Sequence, residues 1–447
     1  MTLPPLFLGR LQFTMCVAFL GLFMALALAL AWLLLFFKLK AHSTGRPGWT
    51  AAYRFWVRVF ALTFAMTLAC GVPVLLQLGT VWAGLMGRIG NVAGPLLGFA
   101  VLAVFALKSC FLGVMLFGQR RVPEIVHTLA VLMVAVGMAV AVFWVLALVS
   151  WTQTPNGATS IDGRYQIDDW VAVVFNPSMK SALAVTALGS ALAVAFLIVG
   201  VTAWQALRRP LDEGERLGFR AALLLACIAL LILPAAAWKA GAVIAHYQPA
   251  KAAAAAAYWQ QDDPPDAVLL GWPDATSAST LGAVSISGAA GRWLGRGADG
   301  RYLALENYSG MQPPVALTFL SLRLMMVLAL VMALAAWATL LKLRRRNLDP
   351  ALLPRWWLRL LAVSGGAGML FVVAGWVFTL AGSQPYAVTH AVTQAEVLGP
   401  ASARALLYGT LGYFALYGVL LSAFLAMLFH AARYGVVPVR RALRGAQ

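Results

Sequence analysis

The stretch VALTFLSLRLMMVLALVMALAAWATLL, residues 315–341, decides the fold. It carries a single charge, Arg323. At about 1.5 Å per residue a helix of this length reaches roughly 40 Å, more than the roughly 30 Å of a bilayer's hydrocarbon core. A charge in such a span is costly and calls for a partner. Two residues on stands Met325, a side chain that serves as packing filler or as a soft metal ligand.

The rest of the chain repeats the pattern. Eight further apolar runs long enough to span fall at 12–37, 55–78, 96–118, 128–150, 181–206, 220–244, 357–381 and 405–431. The chain is 62% hydrophobic and 11% charged, with a mean hydropathy of +0.84. Soluble domains carry about 25% charged residues, so this is a polytopic membrane protein. The sequence predicts an all-α fold of nine transmembrane helices in one membrane domain, 1–447. A net charge of +18 does not indicate nucleic acid, because the charges sit between the apolar runs. The connections after runs one, three, five and seven, with the C-terminal tail, hold Lys38, Lys40, Arg46, Arg120, Arg121, Arg208, Arg209, Arg344, Arg345, Arg346, Arg440 and Arg441. Most carboxylates lie on the other side, among them Asp162, Asp168, Asp169, Asp262, Asp263, Asp266, Asp274, Asp299, Glu306 and Glu396. By the positive-inside rule the N-terminus is outside and the C-terminus cytoplasmic. The first run is too long for a signal peptide and reads as retained. The four cysteines, Cys16, Cys70, Cys110 and Cys227, all fall within runs, lack metal-ligand spacing, and read as small apolar core residues.

One connection, 245–314, is far longer than most loops in compact domains. Its start, HYQPAKAAAAAAYWQQDD, is rich in alanine and favours helix. PPDAVLLGWPD reads as turn-rich and extended, and TLGAVSISG alternates like a strand. The segment reads as a small folded cap on the outer face. A second, shorter cap at 151–180 is rich in turn residues. No internal repeat of the transporter type is evident.

Several motifs then carry a resemblance: GRLQFT (9–14), LQLGTVW (76–82), SWTQTPNG (150–157), FNP (175–177), QPAKAAAAAAYW followed by LLGWPD in the long loop, LRLMMV (322–327) and AGWVFTLAGSQPY (374–386). In this order, along nearly the whole chain, they resemble subunit I of the cytochrome bd ubiquinol oxidases. The resemblance implies a bacterial inner-membrane subunit of a respiratory electron-transport complex. Such a complex takes electrons from quinol and reduces dioxygen, and this subunit holds two b haems and one haem d. It implies Met325 as a thioether ligand of the low-spin haem, Arg323 as that haem's neighbour, and Lys251 as the quinone-binding lysine of the long loop.

The departures concentrate where the chemistry would be. The family's helix-one histidine falls on Leu20 and its helix-five histidine, the partner of Met325, on Val185. Two helix-three glutamates fall on Ala100 and Lys108, the quinol-loop glutamate on Ala256, and a Glu and an Arg of the Gly-Trp to Gln-Pro motif on Leu380 and Ser383. The residues say the same without any alignment. The five histidines, His42, His127, His246, His390 and His430, lie in loops or near run ends, and all 15 Asp and Glu lie outside the nine runs. Buried b-type haems use imidazole ligands, and buried proton relays use intramembrane Asp, Glu or His. The remaining intramembrane charges are cationic. Arg58, Arg359 and Lys239 lie near run ends and can snorkel, whereas Lys108 lies deeper.

The reading is a bd-type subunit I homologue without its own haems and not catalytic by itself. It would be partnered by a second membrane subunit or an active homologous subunit, with lipid and quinone as small-molecule partners. Two other readings stay open at this level: an active quinol oxidase with unusual haem ligation, and a multi-pass transporter or lipid- or quinone-binding scaffold on the same fold.

Overall fold

The computed structural model describes residues 4–261 and 263–434, with the side chains of 107–109 and 120 outside that description. Asp262, Arg440 and Arg441 therefore lie outside the described residues, as do the side chains of Lys108 and Arg120. Among the described residues nine helices are long and apolar enough to cross a membrane. In chain order the spans are Pro5–Thr44, Pro47–Gly79, Ala83–Phe117, Glu124–Gln153, Trp170–Ala206, Glu213–Tyr247, Val315–Leu343, Arg355–Gly382 and Ala403–Tyr434. Eight of the nine predicted runs lie within one of them, and the run 96–118 passes the end of its span by one residue, Gly118, which opens a 3-10 turn. Most spans extend past the apolar window, because a helix continues through the headgroup region where polar residues are tolerated. The carboxylates found inside span boundaries, Glu124, Glu213 and Glu215, all sit in first turns, where the helix dipole favours them.

Local chemistry sets the ends. Asp212 and Glu215 form a reciprocal capping box at the start of span six, and Arg209 pairs with Glu215. Gly45 ends span one in the left-handed conformation. Within span five, a short helix, Trp170–Val174, precedes the main one, Met179–Ala206. Span eight is two helices, Arg355–Ser364 and Ala367–Gly382, joined at Gly365–Gly366. The sequence alone predicts one continuous helix there. The break coincides with direct backbone contact against span five. A Cβ on Gly200 would lie 2.5 Å from the Gly365 Cα, and one on Gly368 would lie 2.5 Å from the Leu192 carbonyl oxygen.

Span one is the hub, touching spans two, four, five, eight and nine. Spans three, seven and nine form the periphery and expose long apolar faces, including Phe99 and Phe105, Leu330 and Leu334, Leu411 and Phe414. Cys110 is accordingly exposed, whereas Cys16, Cys70 and Cys227 are buried. The core reading of the cysteines thus fails for Cys110, because span three lies at the bundle's edge.

The long connection folds as a cap. The alanine-rich segment is a helix, Pro249–Ala256, followed by strands β3, Ala267–Asp274, and β4, Ser279–Ile286, paired antiparallel. On the same side of the bundle, strands β1, Ala158–Ile161, and β2, Arg164–Ile167, make a smaller hairpin, and β5, Tyr386–Val388, pairs with β6, Val392–Thr393.

Candidate functional site

Arg323 is the ninth residue of span seven. Its guanidinium donates to the Val268 carbonyl through Nε at 2.9 Å and again through a second nitrogen, and stacks 4.0 Å from the centroid of Phe319. The charge is thus satisfied by the backbone of β3 and an aromatic face. Among the described residues no carboxylate is its partner.

Met325 and Met326 split between inside and outside. Successive helical residues turn by about 100°. Met326 is 49% exposed on the periphery, and Met325 packs against the bundle core. A Cβ on Gly375 of span eight would lie 3.5 Å from the Met325 methyl and 3.8 Å from its sulfur. One turn on, Thr379 bonds back to the Gly375 carbonyl at 2.8 Å, and Gly382 follows on the same face. Gly375, Thr379 and Gly382 thus form a stripe of small residues along span eight.

The far end of that stripe receives Lys251. The lysine is 2% exposed, its Nζ donates to the Thr379 carbonyl at 3.3 Å, and it lies 4.8 Å from the centroid of Phe378. Burial pushes its amine down from 10.5 to about 7. Gly382 makes room for it, since a Cβ there would lie 2.7 Å from the lysine Cε. Ser383, standing where the resemblance expects an arginine, donates to the same Thr379 carbonyl at 2.8 Å. The structure therefore brings Met325 and Lys251 to one face of span eight, while Arg323 serves β3. The stripe itself was the signal that sequence reading missed, in the spacing of Gly375, Thr379 and Gly382 within AGWVFTLAGSQ.

Several positions that depart from the family pattern are packing positions. Val185 and Leu20 are half-buried, Ala100 is buried, and Leu380 packs on the core. Ala256 closes the short cap helix. Lys108 lies in a π-helical turn, Val104–Ser109, within span three. Of the histidines, His42, His246, His390 and His430 are exposed. His127 is buried at the end of span four, its Nε2 3.3 Å from the Met115 carbonyl oxygen and its ring edge-on to Tyr53. Beside it Lys38 pairs with Glu124 at 3.2 Å. On the cap side His246 stands edge-on to Tyr247, and His390 Nε2 lies 3.3 Å from the Tyr247 carbonyl oxygen. His390 and Tyr247, with Gln153, Thr154, Asn156 and Thr389, line a recess of about 500 Å³.

For a haem held between an imidazole and a thioether, the residues present supply only the thioether. Among the described residues no three His, Cys, Asp or Glu side chains converge as metal ligands. The donor set around Met325 does not fit the family's low-spin haem.

The family model for cytochrome bd terminal oxidase subunit I matches residues 8–436. The chain is 26% identical over 446 residues to cytochrome bd ubiquinol oxidase subunit 1 of Bacillus subtilis, covering 95% of this chain and 92% of that protein. It is 31% identical over 203 residues to cytochrome bd-II ubiquinol oxidase subunit 1 of Escherichia coli, covering 45% of this chain and 40% of that one. Its fold is similar to that of the bd oxidase from Geobacillus thermodenitrificans, with a TM-score of 0.86, 21% identity, and coverage of 96% of this chain and 98% of that chain. With nine apolar helices among its described residues, a match over nearly its whole length and these bacterial relatives, the chain is a multi-pass bacterial membrane protein of the cytochrome bd terminal oxidase subunit I family.

Proposed function

We propose that this chain is a haem-deficient subunit of a bd-type respiratory membrane complex, non-catalytic by itself, seated beside a second membrane subunit or an active homologous subunit. The observation that carries the reading is the half-site at Met325. Its thioether packs on Gly375, and Val185 stands where the resemblance puts the opposing imidazole. The described carboxylates support it further, since none lies deeper in a span than a first turn. A reaction that consumes protons inside a membrane needs such groups. In this reading the cap is on the outer face, as the distribution of Lys and Arg suggests.

Lys251 is the side chain assigned to quinone. A neutral amine beside the Phe378 ring can donate to a quinone carbonyl as it now donates to Thr379.

The test is quantitative haem analysis of the protein purified from native membranes, by pyridine haemochrome and absorption spectrum. No haem on this chain, with co-purification of an oxidase subunit, is the expected result. Stoichiometric haem on the isolated chain refutes the proposal.

A further inference from the structure

The β3–β4 hairpin has two unlike faces. Its register pairs Leu270 with Val284 and Trp272 with Leu281, with a bulge between the two pairs, and all four side chains turn outward. They are 57%, 56%, 59% and 58% exposed respectively. The neighbouring pair, Pro273 and Thr280, faces the other way into the cap. There Pro273 is buried and the Thr280 hydroxyl accepts from the Trp259 indole at 3.0 Å. A loop in water gains nothing by turning a tryptophan and three aliphatic side chains outward together.

The height of the hairpin identifies what meets that face. Span seven has 29 residues. It is therefore about 43 Å long and exceeds a roughly 30 Å hydrocarbon core by about 7 Å at each end. The Arg323 Cα lies about 12 Å from the cap-side end, hence roughly 5 Å inside the hydrocarbon boundary. The arginine rises from there to hold Val268, which sets β3 at the headgroup level. Span six gives an independent mark. Trp293 of the cap packs on Gly241, where a Cβ would lie 3.1 Å from its ring, and stands edge-on to Trp238. Both span-six residues lie below the helix end at Tyr247. Around these contacts the exposed side chains include Leu231 and Ile232 on span six and Leu317 and Leu324 on span seven, with Lys239 beside Trp238 as an exposed charge near the helix end, where its long stem can snorkel to the headgroups.

The charges agree. Asp266 at the hairpin's base is held by Ser285, Ser287 and the Gly288 amide, and Asp274 at its tip by Ser277 and the Thr276 amide. These bonds hold both carboxyls below the usual range, so both ends are anionic and stay in water. Between them runs an uncharged band, including Trp272, an aromatic type favoured at membrane interfaces. A hairpin with charged ends and an apolar middle lies flat in an interface rather than crossing it.

We propose that the β3–β4 hairpin is a membrane anchor, with Leu270, Trp272, Leu281 and Val284 embedded in the lipid leaflet on the cap side, beside spans six and seven. The cap is then held from within by Arg323 and from beneath by lipid.

The test places an environment-sensitive nitrobenzoxadiazole probe on Leu270→Cys and, separately, on Leu281→Cys. Both use the full chain with Cys110→Ser, which leaves only buried native thiols among the described residues. Each is reconstituted as one copy per nanodisc. Ala298→Cys, on an exposed turn of the same cap, is the aqueous control. The hairpin probes are expected to emit to the blue of the control, to be quenched by lipids nitroxide-labelled near the headgroup, and to show a several-fold lower iodide quenching slope. Iodide quenching equal to the control, with no quenching by labelled lipid, overturns the proposal. So does protection from both quenchers, which would mean that protein covers the face. Unchanged far-ultraviolet circular dichroism of all three labelled proteins excludes misfolding as the source of either result.

Discussion

Lys251 offers the sharpest test of the folded arrangement, because its burial makes stability depend on pH with a definite sign. The unfolded chain holds this amine at its ordinary 10.5 and the folded chain at about 7. Between those values the unfolded state binds the extra proton, so stability rises with pH across the window. Below about 7 both states are protonated and the slope vanishes. The full charging cost is roughly 5 kcal/mol at about 1.36 kcal/mol per pH unit. Lys251→Met keeps the apolar stem and removes the titrating group. The Thr379 carbonyl keeps its bond from Ser383, so the lost hydrogen bond costs about 1 kcal/mol. The variant is expected to be more stable than the parent at pH 7 by up to about 4 kcal/mol, the difference shrinking toward zero by about pH 10. The assay is thermal unfolding in nanodiscs, followed by far-ultraviolet circular dichroism at a fixed scan rate from pH 6.5 to 9.5. A parent melting temperature that does not rise with pH refutes the buried, neutral amine. A rise of equal steepness in Lys251→Met refutes Lys251 as its source.

Gly382→Ala drives a methyl into the lysine stem at 2.7 Å and is expected to cost about 1–3 kcal/mol, with much of the loss recovered in Gly382→Ala/Lys251→Ala. A double-mutant cycle of melting temperatures checks this. Gly368→Val, placed 2.5 Å from the Leu192 carbonyl, should prise spans five and eight apart and lower the melting temperature more than any single surface change. Arg323→Gln removes charge-assisted bonds worth about 1.5–3 kcal/mol, and hydrogen exchange should rise in β3 and β4 while the spans stay protected.

The spans were legible because hydrocarbon thickness demands long apolar runs, which any window along the chain detects. The cap helix and β4 were legible for local reasons, one from alanine content and the other from alternation. Arg323 showed that a partner was needed without showing which. Its acceptor is the Val268 main-chain carbonyl, and a backbone oxygen leaves no mark in a sequence. The break at Gly365–Gly366 follows from contact with Gly200, over 160 residues away, so a local reading extends the helix through it. The site at span eight was half legible. Met325 and Lys251 stood out by resemblance, whereas Thr379 contributes through its carbonyl and Gly382 through the side chain it lacks. Cys110 was misread because apolar residues facing lipid and those facing protein look alike in composition.

The Arg323–Val268 contact also orders events during synthesis. Val268 leaves the ribosome 55 residues before its arginine. At about 5–20 residues per second the interval is roughly 3–11 seconds. Through that time β3 can form its turn, yet it has no fixed height until the seventh span arrives. The clasp closes only after that helix has entered the bilayer. A chain whose seventh span has yet to insert therefore has its hairpin without the Arg323 clasp, and the height of β3 is set last.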